Sequence, residues 1–430
     1  MEQLLAALRK RGVARSAELQ ADLGVSQPVV SRLVRAAGER VCRLGRTRGA
    51  RYAATRAVAG LGTEVPVWRI DDAGRPHRHA DLHLLADDRH WLERQDGSGR
   101  LCSGLPPFAW DMKPQGYIGR AFPTLYPELG LPRPIDSWGD DQVLVALARR
   151  GEDCVGNLIV GEESLNRFLA HAPVPRGRDD YPALAGGTLA GAPGSSAGGE
   201  QPKFAVFIGE RHLLVKFAGG DGTAAERWRD LLLCEHAALE MLRTAGVRAA
   251  TSACFDIGDI RFLEMERFDR VGQRGRRGVM SLATVNDHFC GYNHDSWSKA
   301  ARRLLDEPEV SVRTDDVDHI RWLDTFGELI ANTDRHFYNV TFFAEEADRP
   351  TLALAPTYDM LPMAFAPRSG VVVDIAWQPS APTADNYDLW DDAAARATEY
   401  WDRLTQRTDL TAGFRAIAIR CRDALVRAAR

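Results

Sequence analysis

Nowhere in the 430 residues does an apolar run approach the roughly 18–20 residues that a membrane-spanning helix needs. The N-terminus, MEQLLAALRKRG, interleaves charge with apolar residues and lacks the uninterrupted apolar centre of a signal peptide. The chain is therefore expected to be cytoplasmic, with no membrane partner. Cysteine is equally uninformative as a scaffold. Cys42, Cys102, Cys154, Cys234, Cys254, Cys290 and Cys421 lie far apart, with no C-x-x-C pair and no neighbouring histidine cluster, which argues against a zinc site or a disulfide framework. They read as reduced, mostly buried small hydrophobes. Internal repeats are absent too. Lysine is scarce: only Lys10, Lys113, Lys203, Lys216 and Lys299 stand among 55 basic residues, so each is a rare choice in an arginine-rich chain.

With 45% hydrophobic and 27% charged residues, the sequence is that of a soluble globular protein, long enough for two to four domains. The net charge of −4 conceals an asymmetry. Residues 1–56 hold twelve Arg and Lys against four Asp and Glu, a balance of +8, which leaves −12 on the remainder. A basic head on an acidic body points to a nucleic-acid-binding module joined to something else.

In the head, residues 2–11, 16–23 and 26–37 read as three short helices. Val30, Leu33, Val34 and Ala37 follow helical spacing, Ser26 suits an N-cap, Pro28 falls in the first turn, and Gly24 supplies the sharp turn before it. Two short strands around the basic tip Gly45-Arg46-Thr47-Arg48-Gly49 complete a winged helix-turn-helix. Gln27, Ser31, Arg32 and Arg35 lie opposite the apolar stripe, and Gln and Arg make bidentate contacts to adenine and guanine edges. Arg46, Arg48 and Arg51 would meet phosphate or an adjacent minor groove. The duller alternative is a small helical protein-interaction module with solvated arginines; the charge balance and the S-Q-P-V-V-S-R-L turn-helix favour duplex DNA.

Residues 65–172 read as mixed α+β. Strand-like VPVWRI, ADLHLLA and HWLERQ precede a Pro/Gly/aromatic stretch, a helix at 141–151 and the segment EDCVGNLIVG. Residues 173–199, rich in Pro, Gly, Ser and Ala, read as a linker running into a glycine-rich loop. A hairpin of FAVFI and LLVKF follows, then a long helix at 224–245 and a strand pair near 253–268. Beyond 280 the chain reads as mainly helical apart from NVTFF, TLALAPTYD and VVVDIAW.

The order of these pieces carries the chemistry. A loop of Gly194-Ser195-Ser196-Ala197-Gly198-Gly199 precedes a strand ending in Lys216, a helix with Glu235 in its middle, the run Asp334-Arg335-His336-Phe337-Tyr338-Asn339, and a strand ending at Asp359. Protein kinases place the parts that serve ATP in this succession. Glycines let backbone N–H groups approach phosphate oxygens, and lysine is a compact point charge suited to phosphate. Glu235 would hold Lys216, Asp334 would accept the substrate hydroxyl proton, and Asn339 and Asp359 would ligate magnesium. Singly each piece has a bland explanation: a Gly/Ser linker, an edge lysine, an exposed helix carboxylate, a turn-capping aspartate. Their joint order is much harder to dismiss.

The runs GSSAGGEQPKF, LVKF, ERFDR, NTDRHFYN and PTYDMLP resemble those of the HipA family of bacterial serine/threonine kinases, and RRGEDCVGNLIVG resembles the segment that ends the family's N-terminal subdomain. The similarity covers about residues 65–430 and is closest to the branch with a fused N-terminal DNA-binding domain. It implies an α+β, two-lobed protein-kinase-like fold of HipA type behind an N-terminal winged helix-turn-helix. The implied division is 1–57 (DNA-binding), 65–172 (α+β subdomain), 173–275 (kinase N-lobe with phosphate loop and hinge) and 276–430 (helical C-lobe).

By the same resemblance, ATP and Mg²⁺ are the cofactors, Asp334 is the general base with His336 orienting the catalytic loop, and Asn339 and Asp359 hold the metal. ATP would meet Ser195, Ser196, Gly198, Gly199, Lys203 and Lys216, with Glu235 supporting the lysine and Glu266 and Phe268 flanking the adenine. Ser195 and Ser196 lie where the family places a regulatory phosphoserine, in a loop one residue longer than in some members. Residues 291–312 look like an insertion or variable surface segment. The implied partners are a protein substrate (for such toxins an aminoacyl-tRNA synthetase), duplex DNA and an antitoxin. Two other functions stay open: a DNA-binding regulator whose kinase fold senses ATP without transferring phosphate, and a small-molecule phosphotransferase. An intact Asp334/Asn339/Asp359 set weighs against the first, and the ERFDR hinge and Ser/Gly loop against the second.

Overall fold

A computed structural model describes residues 1–46, 49–191 and 201–428. These gather into two compact units, one comprising 1–114, 126–172 and 274–276, the other 115–125, 173–273 and 277–430.

The first unit opens with α1 (Glu2–Arg11), β1 (Val13–Arg15), α2 (Ser16–Leu23) and α3 (Gln27–Ala37), followed by β2 (Val41–Leu44) and β3 (Arg51–Ala54). Leu4, Leu5 and Leu8 of α1, Leu19 of α2 and Val30 and Ala37 of α3 form one small core. Gly24 ends α2 in the left-handed conformation, at φ 63°, where a side chain would be strained. Ser26 occupies the N-cap of α3 without a side-chain capping bond. The strands make an antiparallel sheet in the order β1-β3-β2; the short strand β1, before α2, has no counterpart in the sequence reading.

A second, antiparallel sheet has the order β7-β6-β5-β4-β8, from β4 (Glu64–Ile70), β5 (Pro76–Leu85), β6 (Arg89–Arg94), β7 (Gly99–Ser103) and β8 (Leu158–Val160). Helices α4 (Pro107–Met112), α6 (Asp140–Arg150) and α7 (Glu162–Ala170) accompany it, while the intervening α5 (Gly116–Leu125) belongs to the other unit. The head is not tethered by a slack linker. Ala86 N–H donates to Ala54 O (2.8 Å) and Arg56 N–H to Leu84 O (2.9 Å). Cys42, Leu44 and Ala53 of the head share a buried cluster with Leu85 and Trp91. Arg56 reaches Asp141 (2.6 Å) and the fully buried His90 (3.1 Å).

In the second unit, α8 (Tyr181–Gly191) is followed by β9 (Lys203–Ile208), β10 (Arg211–Ala218), α9 (Thr223–Thr244), β11 (Ser252–Ile257) and β12 (Ile260–Glu266). The strands form an antiparallel sheet in the order β11-β12-β10-β9. Helix α8 corrects the linker reading over 181–191; residues 192–199 lie outside the described residues. The helix's Ala/Gly-rich sequence carries little helical signal, and tertiary packing holds it. Tyr181 is fully buried among Phe204, Phe255 and Phe262, and its hydroxyl donates to Glu264 (2.6 Å), which also takes a bidentate pair from Arg178 (2.9 and 2.6 Å).

Beyond the hinge come β13 (Val279–Ser281), α10 (Leu282–Val285), α11 (Trp297–Asp306), β14 (Ser311–Val312), α12 (Thr314–Leu329), β15 (Thr341–Phe343), β16 (Thr351–Leu354), α13 (Tyr387–Thr405) and α14 (Ala412–Ala428). The short strands form a sheet in the order β13-β15-β16-β14. Phe326, Trp390, Tyr400, Trp401 and Phe414 fill the helical core. Three expectations fail in this half. The strand read as ending at Asp359 stops at Leu354, and Asp359 lies in the loop beyond it. VVVDIAW forms no strand: Val371 and Val373 face solvent, and Ile375 and Trp377 pack on the helical core instead of a sheet neighbour. Residues 291–312 are not a peripheral insertion either, because α11 buries Trp297, Ser298, Ala300, Ala301 and Leu304.

Candidate active site

Strand β10 places Lys216 directly across from Lys203 of β9, so the two rare lysines share one face of the sheet. Lys216 is 5% exposed, and Glu235 on α9 is fully buried. The Lys216 ammonium donates to both oxygens of Glu235 (2.8 and 2.7 Å) and to Asp359 Oδ1 (2.5 Å). Burial alone would lower the lysine's pKa; Asp359 and Glu235 reverse this and raise it. Burial pushes Glu235 up, with Lys216 opposing. Burial acts on Asp359 in the same sense, yet Lys216 and then Lys203 outweigh it and hold its carboxyl down at about 2. The ensemble is thus a fixed cation between two anions, with a second cation alongside.

The run 332–339 follows α12 through Ala331, whose φ of 63° is left-handed. Asn332, fully buried, ties two parts of the site together. Its side-chain oxygen accepts from Asp334 N–H (3.0 Å), and its amide donates to the carbonyl of Asp359 (3.1 Å). Asp359 is itself left-handed at φ 53°, a conformation that surrounding bonds must enforce. Asn339 is buried and donates through Nδ2 to Asp334 O (2.8 Å), which orients its amide oxygen, an acceptor, away from that bond. The Asp334 carboxylate stays half-exposed, 3.9 Å from His336 Nε2. Sequence reasoning gave Asn332 no role. Its position two residues before Asp334, able to close an Asx-type turn, was the available signal.

The remaining residues distribute as follows. Glu266 ends β12, with its N–H on Thr251 O (2.9 Å). Phe268 packs edge-on against Phe343 and tilted against Tyr358, at centroid distances of 5.8 and 5.9 Å. Tyr358 donates to Tyr338 O (2.6 Å), which ties the residue under Phe268 to the 332–339 run. Ser195, Ser196, Gly198 and Gly199 lie outside the described residues, as does Arg48 of the head. In α3, Gln27, Ser31, Arg32 and Arg35 are all exposed, on the face opposite buried Val30 and Ala37. Arg46 lies 3.5 Å from Glu93 of β6, and Arg51 is partly buried.

A sheet lysine held by a helix glutamate, next to a D-x-x-x-x-N run and an aspartate in the loop after β16, defines a kinase-like architecture. The family models agree. Residues 195–427 match the family model of the HipA-like C-terminal domain, and residues 61–169 match that of the YjjJ-like toxin middle domain. Among solved structures, the HipA–HipB–operator DNA complex of Shewanella oneidensis MR-1 contains a chain that aligns with a TM-score of 0.53 at 14% identity, over 85% of this chain and 96% of that one. The Helicobacter pylori proinflammatory kinase CtkA aligns at 0.37 and 10% identity, over 53% and 90%. The chain is 37% identical over 423 residues to the toxin YjjJ of Escherichia coli (strain K12), covering 95% of this chain and 94% of the relative. It belongs to the YjjJ-like toxins of the HipA family. No helix among the described residues is long and apolar enough to cross a membrane.

Proposed function

We propose that this protein is an ATP- and Mg²⁺-dependent serine/threonine protein kinase of HipA toxin type, cytoplasmic, with a winged helix-turn-helix head that binds duplex DNA. The observation that carries the reading is Lys216, clasped by Glu235 and Asp359 and joined through Asn332 to the Asp334–Asn339 run. Phosphoryl transfer asks for positioned charge rather than covalent chemistry. Lys216, with Lys203 beside it, supplies cationic charge for ATP phosphates. Asp334, half-exposed and held through its backbone on both sides, is available to take the proton of an incoming hydroxyl.

The donor set suits magnesium. Among the described residues no three His, Cys, Asp or Glu form a metal cluster by themselves. Asp359 and Asn339 offer one carboxylate and one amide oxygen, the hard-oxygen pair that Mg²⁺ takes when phosphate and water complete its shell. When bound, the ion would neutralise charge on the transferred phosphate. His336 would orient the loop, while Glu266 and Phe268 border the adenine side.

The S. oneidensis structure holds HipA with HipB and operator DNA, which supports proposing DNA and an antitoxin as partners here; an aminoacyl-tRNA synthetase is the proposed substrate. Incubation with radiolabelled ATP and a whole-cell lysate tests the function. Labelled phosphoserine or phosphothreonine on a discrete protein, abolished in Asp334→Asn, is the expected result. ATP binding without any transfer would instead leave a sensing regulator.

A further inference from the structure

The segment 294–298 and the helix it opens touch the 332–339 run at two points and reach it at a third through Asp324 of α12. The His294 imidazole stacks on Phe337, at 4.4 Å between ring centroids and 17° between planes, and its Nε2 lies 2.6 Å from Asp287 Oδ1. The Trp297 indole N–H donates to His336 O (3.1 Å) from a side chain that is 1% exposed. Ser298 donates through both its backbone N–H (3.0 Å) and its hydroxyl (2.8 Å) to Asp324 Oδ2 on α12. The other oxygen of Asp324 accepts from Arg335 Nε (3.0 Å), and that guanidinium continues to Asn332 O.

Ser298, Asp324, Arg335 and Asn332 are therefore linked in series, and Asn332 holds both Asp334 N–H and Asp359 O. Glycine at 327 makes room for the chain, since a Cβ there would lie 2.9 Å from Arg335 Cδ and 3.3 Å from Met360 Sδ. The series acts on backbone position: Asn332 and His336 flank Asp334 in the chain, and Asn332 also holds the carbonyl of Asp359. Misplacement of about 1 Å at a reacting group costs on the order of 10² in rate.

We infer that Trp297 and the Ser298–Asp324–Arg335 relay are positioning residues that set the catalytic run for phosphoryl transfer. This rests on the kinase reading above. The relay fixes the relation between the base, Asp334, and the metal-side residue, Asp359, without touching substrate. Losing one link should slow the transfer step while ATP still binds normally, because Lys216 and Glu235 stand outside the relay.

The test uses the full-length protein with Ser298→Ala, Ser298→Thr and Trp297→Phe, the last keeping an aromatic ring in place of the indole N–H. Three readouts are taken on each: kcat and KM for ATP, thermal midpoint, and backbone amide exchange across 332–339. The expected result is a fall in kcat of about 10- to 100-fold for Ser298→Ala and Trp297→Phe. KM for ATP and the thermal midpoint stay near wild type, exchange in 332–339 rises, and Ser298→Thr recovers activity. Unchanged kcat in both variants overturns the inference. So does a kcat loss that tracks global destabilisation without a local rise in exchange. If the wild type transfers no phosphate, the kinase reading fails, and amide exchange alone decides the relay: a rise confined to 332–339 upholds it as a positioning device, and no rise removes it.

Discussion

Lys216 and Asp359 are 143 residues apart in sequence, yet the lysine ammonium lies 2.5 Å from the aspartate oxygen while its other hydrogens serve Glu235. One cation thus bridges two carboxylates, one of them wholly inside the fold. Removing one member of such a buried set leaves the others uncompensated, which typically costs 3–5 kcal/mol. Lys216→Met is expected to lower unfolding free energy by roughly that amount, in addition to abolishing transfer. Chemical denaturation of the variant beside Lys203→Met provides the check, and the more exposed Lys203 should cost much less.

The same geometry has a pH signature. Lys216 and Lys203, acting against burial, hold Asp359 near 2 in the folded state, below the ordinary carboxylate value of about 3.9. A group depressed by folding contributes stability above its unfolded pKa and loses it as pH falls through the folded value. Between about pH 4 and pH 2 the wild type should therefore lose stability more steeply than Asp359→Asn. Denaturation midpoints of both proteins across that window measure the difference, and parallel curves would contradict the assignment.

Two neighbouring aspartates should fail differently. Asp334→Asn removes the proposed proton acceptor, so phosphotransfer should drop by at least ~10² with ATP binding intact. Asp359→Asn removes the proposed metal carboxylate and should weaken Mg·ATP binding itself. Nucleotide titration with and without Mg²⁺, beside single-turnover transfer, separates the two. Wild-type behaviour in both would sink the site assignment.

Because Cys42, Leu44 and Ala53 share a core with Leu85 and Trp91, the head should depend on the sheet beside it. A fragment of residues 1–60 is expected to melt well below the head's transition in the full chain, with poorly dispersed amide resonances. The full chain should bind duplex DNA with an affinity that falls steeply as salt rises. Arg32→Ala should cost ~1–3 kcal/mol of discrimination against random duplex if it reads a base. Equal losses on specific and random DNA would make Arg32 a phosphate contact. No binding by the full chain at low salt would favour a protein-interaction module.

Ser195 and Ser196 remain proposed sites of self-inhibition. A phosphoserine carries about −1.5 to −2 charge, which would compete with ATP phosphates for Lys203 and Lys216. Intact-mass and peptide analysis after incubation with Mg·ATP should find phosphate there in the active protein and not in Asp334→Asn, with activity falling as it accumulates. Full activity in a Ser195→Asp/Ser196→Asp variant would refute the switch.

Much of this was legible before any coordinates. Helices α1 to α3 declare themselves because a 3.6-residue apolar period buries one face whatever lies beyond it. Lys216, Glu235, Asp334, Asn339 and Asp359 stand out by order and by the rarity of lysine. Helix α8 did not, since an Ala/Gly-rich stretch without an apolar stripe has no local preference strong enough to read; Tyr181 and its bond to Glu264 settle it. The β-branched run at 371–377 misled in the opposite sense, as high strand propensity without a pairing partner makes no sheet.

The sequence by itself determined which chemistry the chain carries and in what order, because residue type and spacing are local properties. Only the tertiary structure decided how the parts are held: that Asn332 couples Asp334 to Asp359, that α11 braces the catalytic run, and that the head shares a core with the neighbouring sheet. Each of these depends on which distant residues meet when the apolar faces are buried, and hydrogen bonds between segments far apart in sequence leave no periodicity to read.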